Sequence, residues 1–316
     1  MPVGNLSYEG KSMHVLGVKW FVDDDESYKH GLQYWTGEEH VPAIEILSRG
    51  KEITWTLVGP RRCIGYRDES GNLHRCPEYS IVKGNQKRCG PCAAMDFYDE
   101  CVFCDGSSCR ASPARRERCR NAHYVVYLTA FGDGTLKVGV SVRSRLMTRW
   151  LEQGADYGAV LVEVQDGKKA RRIESHLSHE ESITSSVRFG RKVDALTSDL
   201  SVPDVEGMID YLYSSNALAE IVREFNLQLK PPGVQSLATH YGFPVVDMTP
   251  AVWPKRRRGL HGQQVLGEIL GMKGPLLLLE TGKTKTAINL RRLIGYTIDP
   301  ESEVTYVSQS SLLEHL

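Results

Sequence analysis

The clearest pattern of apolar and polar positions lies in residues 123–154, HYVVYLTAFGDGTLKVGVSVRSRLMTRWLEQG. His123 to Phe131 is rich in Val, Tyr and Thr, which suit a pleated strand. Gly132-Asp133-Gly134 supplies a turn, because glycine reaches positive φ at no steric cost. Leu136 to Val140 reads as a second strand, so the two predict a hairpin. Ser141 is placed to cap a helix starting near Val142 or Arg143, with Leu146, Met147, Trp150 and Leu151 as its buried stripe. Gly154 is the expected C-terminal cap.

The flanking pattern fills in the rest. Upstream, Met13–Phe21, Ala43–Leu47 and Ile53–Val58 are strand-like, split by the acidic loops Asp23-Asp24-Asp25-Glu26 and Gly37-Glu38-Glu39, which read as solvated turns. Downstream, Ala159–Val164 is a third strand, and a helix runs from Lys168 to near Ile183 with Ala170, Ile173 and Leu177 buried. Residues 184–230 read as mainly helical, and Lys230-Pro231-Pro232-Gly233 as a linker. Gln264–Leu270, Pro275–Glu280, Thr286–Leu290 and Tyr296–Ile298 are then strands with glycine corners, which predict a small β-barrel. The expected class is α+β: an N-terminal β module (1–60), a cysteine-rich double zinc module (61–121), a mixed α/β domain with a helical extension (122–230) and a C-terminal small β-barrel (234–316).

Composition narrows the class. No apolar run approaches the ~18 residues of a membrane helix. The opening MPVGNLSYEGK lacks a secretory pattern, so a cytoplasmic protein with no membrane partner is expected. Lys and Arg (39) balance Asp and Glu (39), which argues against indiscriminate polyanion binding. The charge is uneven, however: residues 61–120 hold twelve Lys/Arg against eight Asp/Glu, leaving room for a local basic face.

All eight cysteines fall between Cys63 and Cys119, and such clustering without a signal peptide favours metal over disulfides. Cys89-Gly90-Pro91-Cys92 and Cys101-Val102-Phe103-Cys104 are knuckles in which two sulfurs converge. The simplest grouping puts Cys63, Cys76, Cys89 and Cys92 on one zinc, and Cys101, Cys104, Cys109 and Cys119 on a second, with His74 or His123 as substitutes. An interleaved pairing is the alternative. Both ions are expected to be structural, since four thiolates leave no open position.

The order V-V-Y (125–127), K-V-G (137–139), R-L-x-x-R (145–149) and then A-R-R-I-E-S-H-L (170–177) resembles the core of the GIY-YIG nuclease superfamily, over about residues 122–185. The resemblance implies that Tyr127 helps deprotonate an attacking water, that Gly139 is the glycine of the second motif, and that Arg145 stabilises charge on the phosphate. It further implies that Glu174 holds one Mg²⁺ or Mn²⁺ near the leaving oxygen. Lys137 stands where the superfamily has its second tyrosine. It fits a phosphate contact, a base of lowered pKa, or a fold kept for binding alone.

Nucleic-acid contacts are expected from several basic groups: Arg116 and Arg118 beside Cys119, Arg143 and Arg149 around the helix start, and Arg256 and Arg257 within the run Lys255–Arg258. Lys169 and Arg172 join them, placed where the helix dipole disfavours cations, so helix stability does not account for them. The pattern predicts a zinc-stabilised nucleic-acid-binding protein with Mg-dependent phosphodiester hydrolysis of RNA or DNA, RNA being favoured. The alternative is a non-catalytic RNA-binding or ribosome-associated protein. The wider order of modules also resembles an uncharacterised prokaryotic family of unknown function, which adds architecture and no activity.

Overall fold

The computed structural model describes residues 12–36, 41–102, 104–180, 183–197, 200–229, 233–242, 249–250, 259–299, 302 and 306–307. The chain divides into two compact units, one built from residues up to Phe97 and from Met248 onward, the other from Tyr98–Asp247. The first opens with β1 (Met13–Val22), β2 (Tyr28–Trp35), β3 (Ala43–Ile46) and β4 (Glu52–Val58), then the short pair β5 (Tyr66–Arg67) and β6 (Leu73–His74) and helix α1 (Gly90–Met95). The second begins with α2 (Pro113–Asn121), β7 (His123–Ala130), β8 (Leu136–Val142), α3 (Leu146–Gln153), β9 (Tyr157–Gln165) and α4 (Gly167–Leu177). It continues through β10 (Ile183–Thr184), α5 (Phe189–Asp194), α6 (Val202–Tyr213), α7 (Asn216–Phe225), β11 (Gln235–Ser236) and α8 (Ala238–Tyr241). The chain then returns to the first unit with β12 (Thr249–Pro250), β13 (Gln263–Lys273), β14 (Leu276–Thr281), β15 (Thr284–Asn289), β16 (Thr297–Asp299) and β17 (Tyr306–Val307). Among the described residues, no helix is long and apolar enough to cross a membrane.

The fold is α+β, as expected, but the strands beyond residue 260 do not close a small barrel. They join the N-terminal strands in one sheet of order β12-β15-β14-β13-β4-β16-β1-β2-β3, with β17 paired to β13. β16 is the keystone: Thr297 and Ile298 pair with β1 on one side and with Val58 and Leu57 of β4 on the other. Ladder hydrogen bonds do not register distance along the chain, so hydrophobic pattern alone could not say that these remote strands pair. β14 shows how deep the sheet lies, with Leu276, Leu277, Leu278 and Leu279 all buried, as in a strand covered on both faces. β2 was absent from the sequence expectation because Lys29, His30, Gly31 and Gln33 break its apolar pattern. Gly31 is needed there, since a Cβ would lie 2.2 Å from the Glu45 carbonyl oxygen on β3.

The second unit is built on a sheet of order β10-β8-β7-β9-β11, with β7, β8 and β9 antiparallel. The predicted hairpin and third strand are therefore present. Tyr124, Val126, Leu128 and Ala130 of β7 face a core made with Ala170, Ile173 and Leu177 of α4 and the apolar faces of α6 and α7. The opposite face of the hairpin carries Tyr127 and is closed by α3, whose Trp150 meets the Tyr127 ring edge-on at 6.1 Å between centroids. Gly154 ends α3 at φ 70°, as the sequence suggested. Ser141 is not its cap: it lies within β8, and a 3-10 turn over Arg143–Arg145 leads into the helix instead. α4 stops at Leu177, short of the expected end, because Ile183 is drawn into β10 beside Leu136.

Candidate functional site

In the first unit, Cys63, Cys76, Cys89 and Cys92 bring their sulfurs within 4.8 Å of one another. The local chain explains the convergence. Cys89 is the N-cap of α1, whose first turn holds Pro91 and Cys92. The backbone N–H groups of Gly65 and Cys89 both point at the Cys63 sulfur, at 3.4 and 3.3 Å. Gly65 sits at φ +84°, and a Cβ there would lie 1.8 Å from the His74 carbonyl oxygen. Asp96, just after α1, accepts from the backbone N–H and guanidinium of Arg67 and pairs with Arg88 at 2.7 Å, anchoring the knuckle.

The donor set fits zinc. The Cys76 and Cys89 sulfurs are 3.8 Å apart. That is far beyond a disulfide, and it matches the roughly 3.8 Å edge of a tetrahedron with ~2.3 Å metal–sulfur bonds. Burial pushes the Cys63 and Cys92 thiols up. For Cys76 burial acts in the same sense, but hydrogen bonds with Ser80, Cys63 and Cys92 together outweigh it and bring the thiol down to about 7. A metal ion bound here would displace the protons of the buried thiols.

The remaining cysteines belong to the second unit. Cys101, Cys104, Cys109 and Cys119 line one cavity of about 360 Å³ together with Arg115, Tyr124 and residues of the α4 start. Their sulfurs do not approach one another as closely as the first set, which is the one compact metal-ligating group found among the described residues. His74, in the first unit, is engaged by Asp68 at 2.9 Å. Tyr124 was not singled out from sequence. The Tyr124 ionisation is pushed up to about 12 by burial and by the neighbouring Cys119.

On the α3 face of the hairpin, Tyr127 stands directly opposite Gly139. A Cβ on Gly139 would meet the phenol carbon and oxygen at 2.5 Å, so only glycine lets the tyrosine lie across β8. Tyr127 is 1% exposed. Its hydroxyl accepts from the Gln153 side-chain amide, and Lys192 of α5 donates to the Gln153 backbone carbonyl. Burial raises the Tyr127 ionisation, the charge of Glu174 adds to this, and the adjacent Arg149 guanidinium opposes it.

The arginine against the phenol is thus Arg149. Arg145, one helical turn earlier, pairs with Glu152 at 2.9 Å, and Arg149 shares that carboxylate at 3.2 Å. Gln153 and Arg149 share a face of α3 at i, i+4 spacing, a signal present in the sequence but masked by the motif order. Lys137 donates to the Val138 carbonyl at 2.8 Å. Glu174 pairs with Arg171 at 2.7 Å.

Of the expected nucleic-acid contacts, Arg143 pairs with Glu163 at 3.0 Å and Arg172 with Glu224 at 2.8 Å. The Arg116 side chain donates to the Ala111 carbonyl. Arg118 is exposed on α2, and Lys169 is half-buried on α4. Arg256 and Arg257 lie outside the described residues.

An α+β chain with a four-cysteine cluster that can hold a metal such as zinc is the class these observations define. A family model, described as a protein of unknown function (DUF2797), matches residues 50–298, and the chain belongs to that family. No curated protein matches it, and no solved structure does.

Proposed function

We propose that the protein binds nucleic acid and hydrolyses phosphodiester bonds on the α3 face of the second unit, with zinc at Cys63, Cys76, Cys89 and Cys92 and a further zinc at the later cysteines. The observation that supports this most is the constellation at Tyr127. The phenol lies across Gly139, the Arg149 guanidinium stands against its oxygen, and the charge of Glu174 is felt there. This is an arrangement a GIY-YIG-like site needs, with Arg149 taking the place expected for Arg145. Arg149 would neutralise charge gathering on the phosphate, and Gln153 would hold the phenol oxygen in place. Glu174 is a single carboxylate, so an Mg²⁺ or Mn²⁺ there would complete its shell with substrate phosphate oxygens and water. Such an ion supplies positive charge at the departing oxygen when bound.

The experiment is incubation of the purified protein with Mg²⁺ and labelled single-stranded RNA and DNA. Cleavage is expected, RNA first, and Glu174→Ala is expected to lower it by about 100-fold or more. Equal cleavage by wild type and Glu174→Ala would remove the nuclease reading.

A second reading, binding without chemistry, is favoured by one specific feature. The Tyr127 hydroxyl is buried under Gln153 and Arg149, and Glu174 is already engaged by Arg171. Salt-sensitive RNA binding with no cleavage is the result that would establish it.

A further inference from the structure

Three stretches of the first unit carry cations and no acid. Between Glu52 and Asp68 lie Arg61, Arg62 and Arg67, and between Glu78 and Asp96 lie Lys83, Lys87 and Arg88. Between Glu280 and Asp299 lie Lys283, Lys285, Arg291 and Arg292. The fold gathers the three stretches around Arg61. Its guanidinium donates to the carbonyls of Gly84 and Gln86 at 2.7 and 3.0 Å, and its Nε to that of Ile294 at 3.0 Å. Backbone bonds reinforce this: Arg62 N–H donates to the Gly295 carbonyl at 2.7 Å, and Ile64 N–H to that of Lys87 at 3.1 Å. Gly295, at φ +87°, permits the approach, since a Cβ there would lie 2.8 Å from the Arg62 carbonyl oxygen. The loop before the cysteine knuckle and the turn Leu290–Arg292 are thus tied to one segment. Lys87 and Arg291 are exposed on it, and the Lys87 ammonium lies within electrostatic reach of Arg291, Arg88, Arg61 and Arg67. Asp96, at the end of the second stretch, is buried and already held by Arg67 and Arg88.

We infer that this face of the first unit, centred on Lys87 and Arg291, is a nucleic-acid contact surface that grips the phosphate backbone. Like charges held this close repel one another, and Arg61 uses its hydrogen bonds to keep them together. The repulsion is relieved when a polyanion lies across them. A nucleic-acid strand supplies closely spaced phosphates, and its binding releases condensed counterions. Guanidinium forks match phosphate oxygens in shape, and an ammonium serves as a point contact beside them. Carboxylates would pair with the same groups, so the choice of nucleic acid rests on the binding proposed above. The surface itself uses no residue of the α3 face and lies in the other unit.

Fluorescence anisotropy of full-length protein with labelled single-stranded RNA, at a series of salt concentrations, tests the surface. The double variant Lys87→Gln/Arg291→Gln is expected to bind about tenfold more weakly and to lower the slope of log affinity against log salt by about 1.4, two phosphate contacts being lost. Its thermal melt is expected to match wild type, since Arg61 and the knuckle are untouched. Should the melt differ, the single variants are read instead, each with about half the change in slope. Unchanged affinity and slope in these variants, with wild type binding RNA, would overturn this inference and leave the nucleic-acid reading of the second unit standing. Absence of RNA binding by wild type would overturn both. Polyglutamate is the second probe. Tighter binding of polyglutamate than of RNA at equal salt, lost in the double variant, would mark an acidic protein as the partner and overturn the inference.

Discussion

His30 in the middle of β2 shows what a single side chain contributes. Its ring stacks obliquely on Trp20 at 4.7 Å, and neither ring nitrogen finds a hydrogen-bond partner. Burial holds its pKa down, from 6.5 to about 4. Between those values the unfolded chain takes up a proton that the folded chain refuses, so the unfolded state gains as pH falls. The contribution is fully present above pH 6.5 and is lost as pH drops towards 4. It amounts to at most about 3 kcal/mol. The urea midpoint is therefore expected to fall across this window, and His30→Leu to fall less. An equal fall in both would refute the assignment. Nothing in the sequence marked His30, because an isolated histidine among polar neighbours does not disclose that a tryptophan will cover it.

At the level of elements, α3 is the most exacting. It closes one face of the hairpin with Trp150, brings Arg149 and Gln153 to the Tyr127 oxygen, and ends on a left-handed glycine at φ 70°. An alanine at that position costs about 1 kcal/mol, since a Cβ crowds the left-handed backbone. Gly154→Ala is therefore expected to speed hydrogen exchange in the last turn of α3 about fivefold. Unchanged exchange would show that tertiary packing, not the cap, holds the helix end. Much of this element was legible: the apolar stripe, the glycine stop and the hairpin before it all follow from period and turn chemistry. Its start was not, because Ser141 is a good cap by type but is held in β8 by pairing with Val125. The choice between Arg145 and Arg149 was also hidden. Both lie on the same turns, and only the path of the Tyr127 ring across Gly139 selects one.

For the whole molecule, the decisive fact is that one unit is assembled from both ends of the sequence and the other from its middle. Residues 98–247 carry their own sheet and hydrophobic cluster. Expressed alone, they are expected to melt cooperatively, while residues 1–97 alone, lacking β13 and β16, are expected to show no such transition. A cooperative melt of the shorter piece would contradict the shared sheet. The sequence disclosed seven of the ten strands of that sheet and the first cysteine cluster, since spacing of cysteines and alternation of residues are local properties. It did not disclose that β4 lies between β13 and β16, which is a property of pairing across some two hundred residues.

β16 also sets a timetable for synthesis. Translation delivers β1 and β4 long before the strand that joins them, so on the ribosome those two edges wait unpaired while the intervening segment emerges and completes its own core. Unsatisfied strand edges invite foreign partners, and the nascent chain is most exposed to aggregation in that interval. The cysteine knuckle at residues 63–92 emerges within the same interval, so a metal ion captured there would give the waiting segment its first fixed point before the last strands arrive.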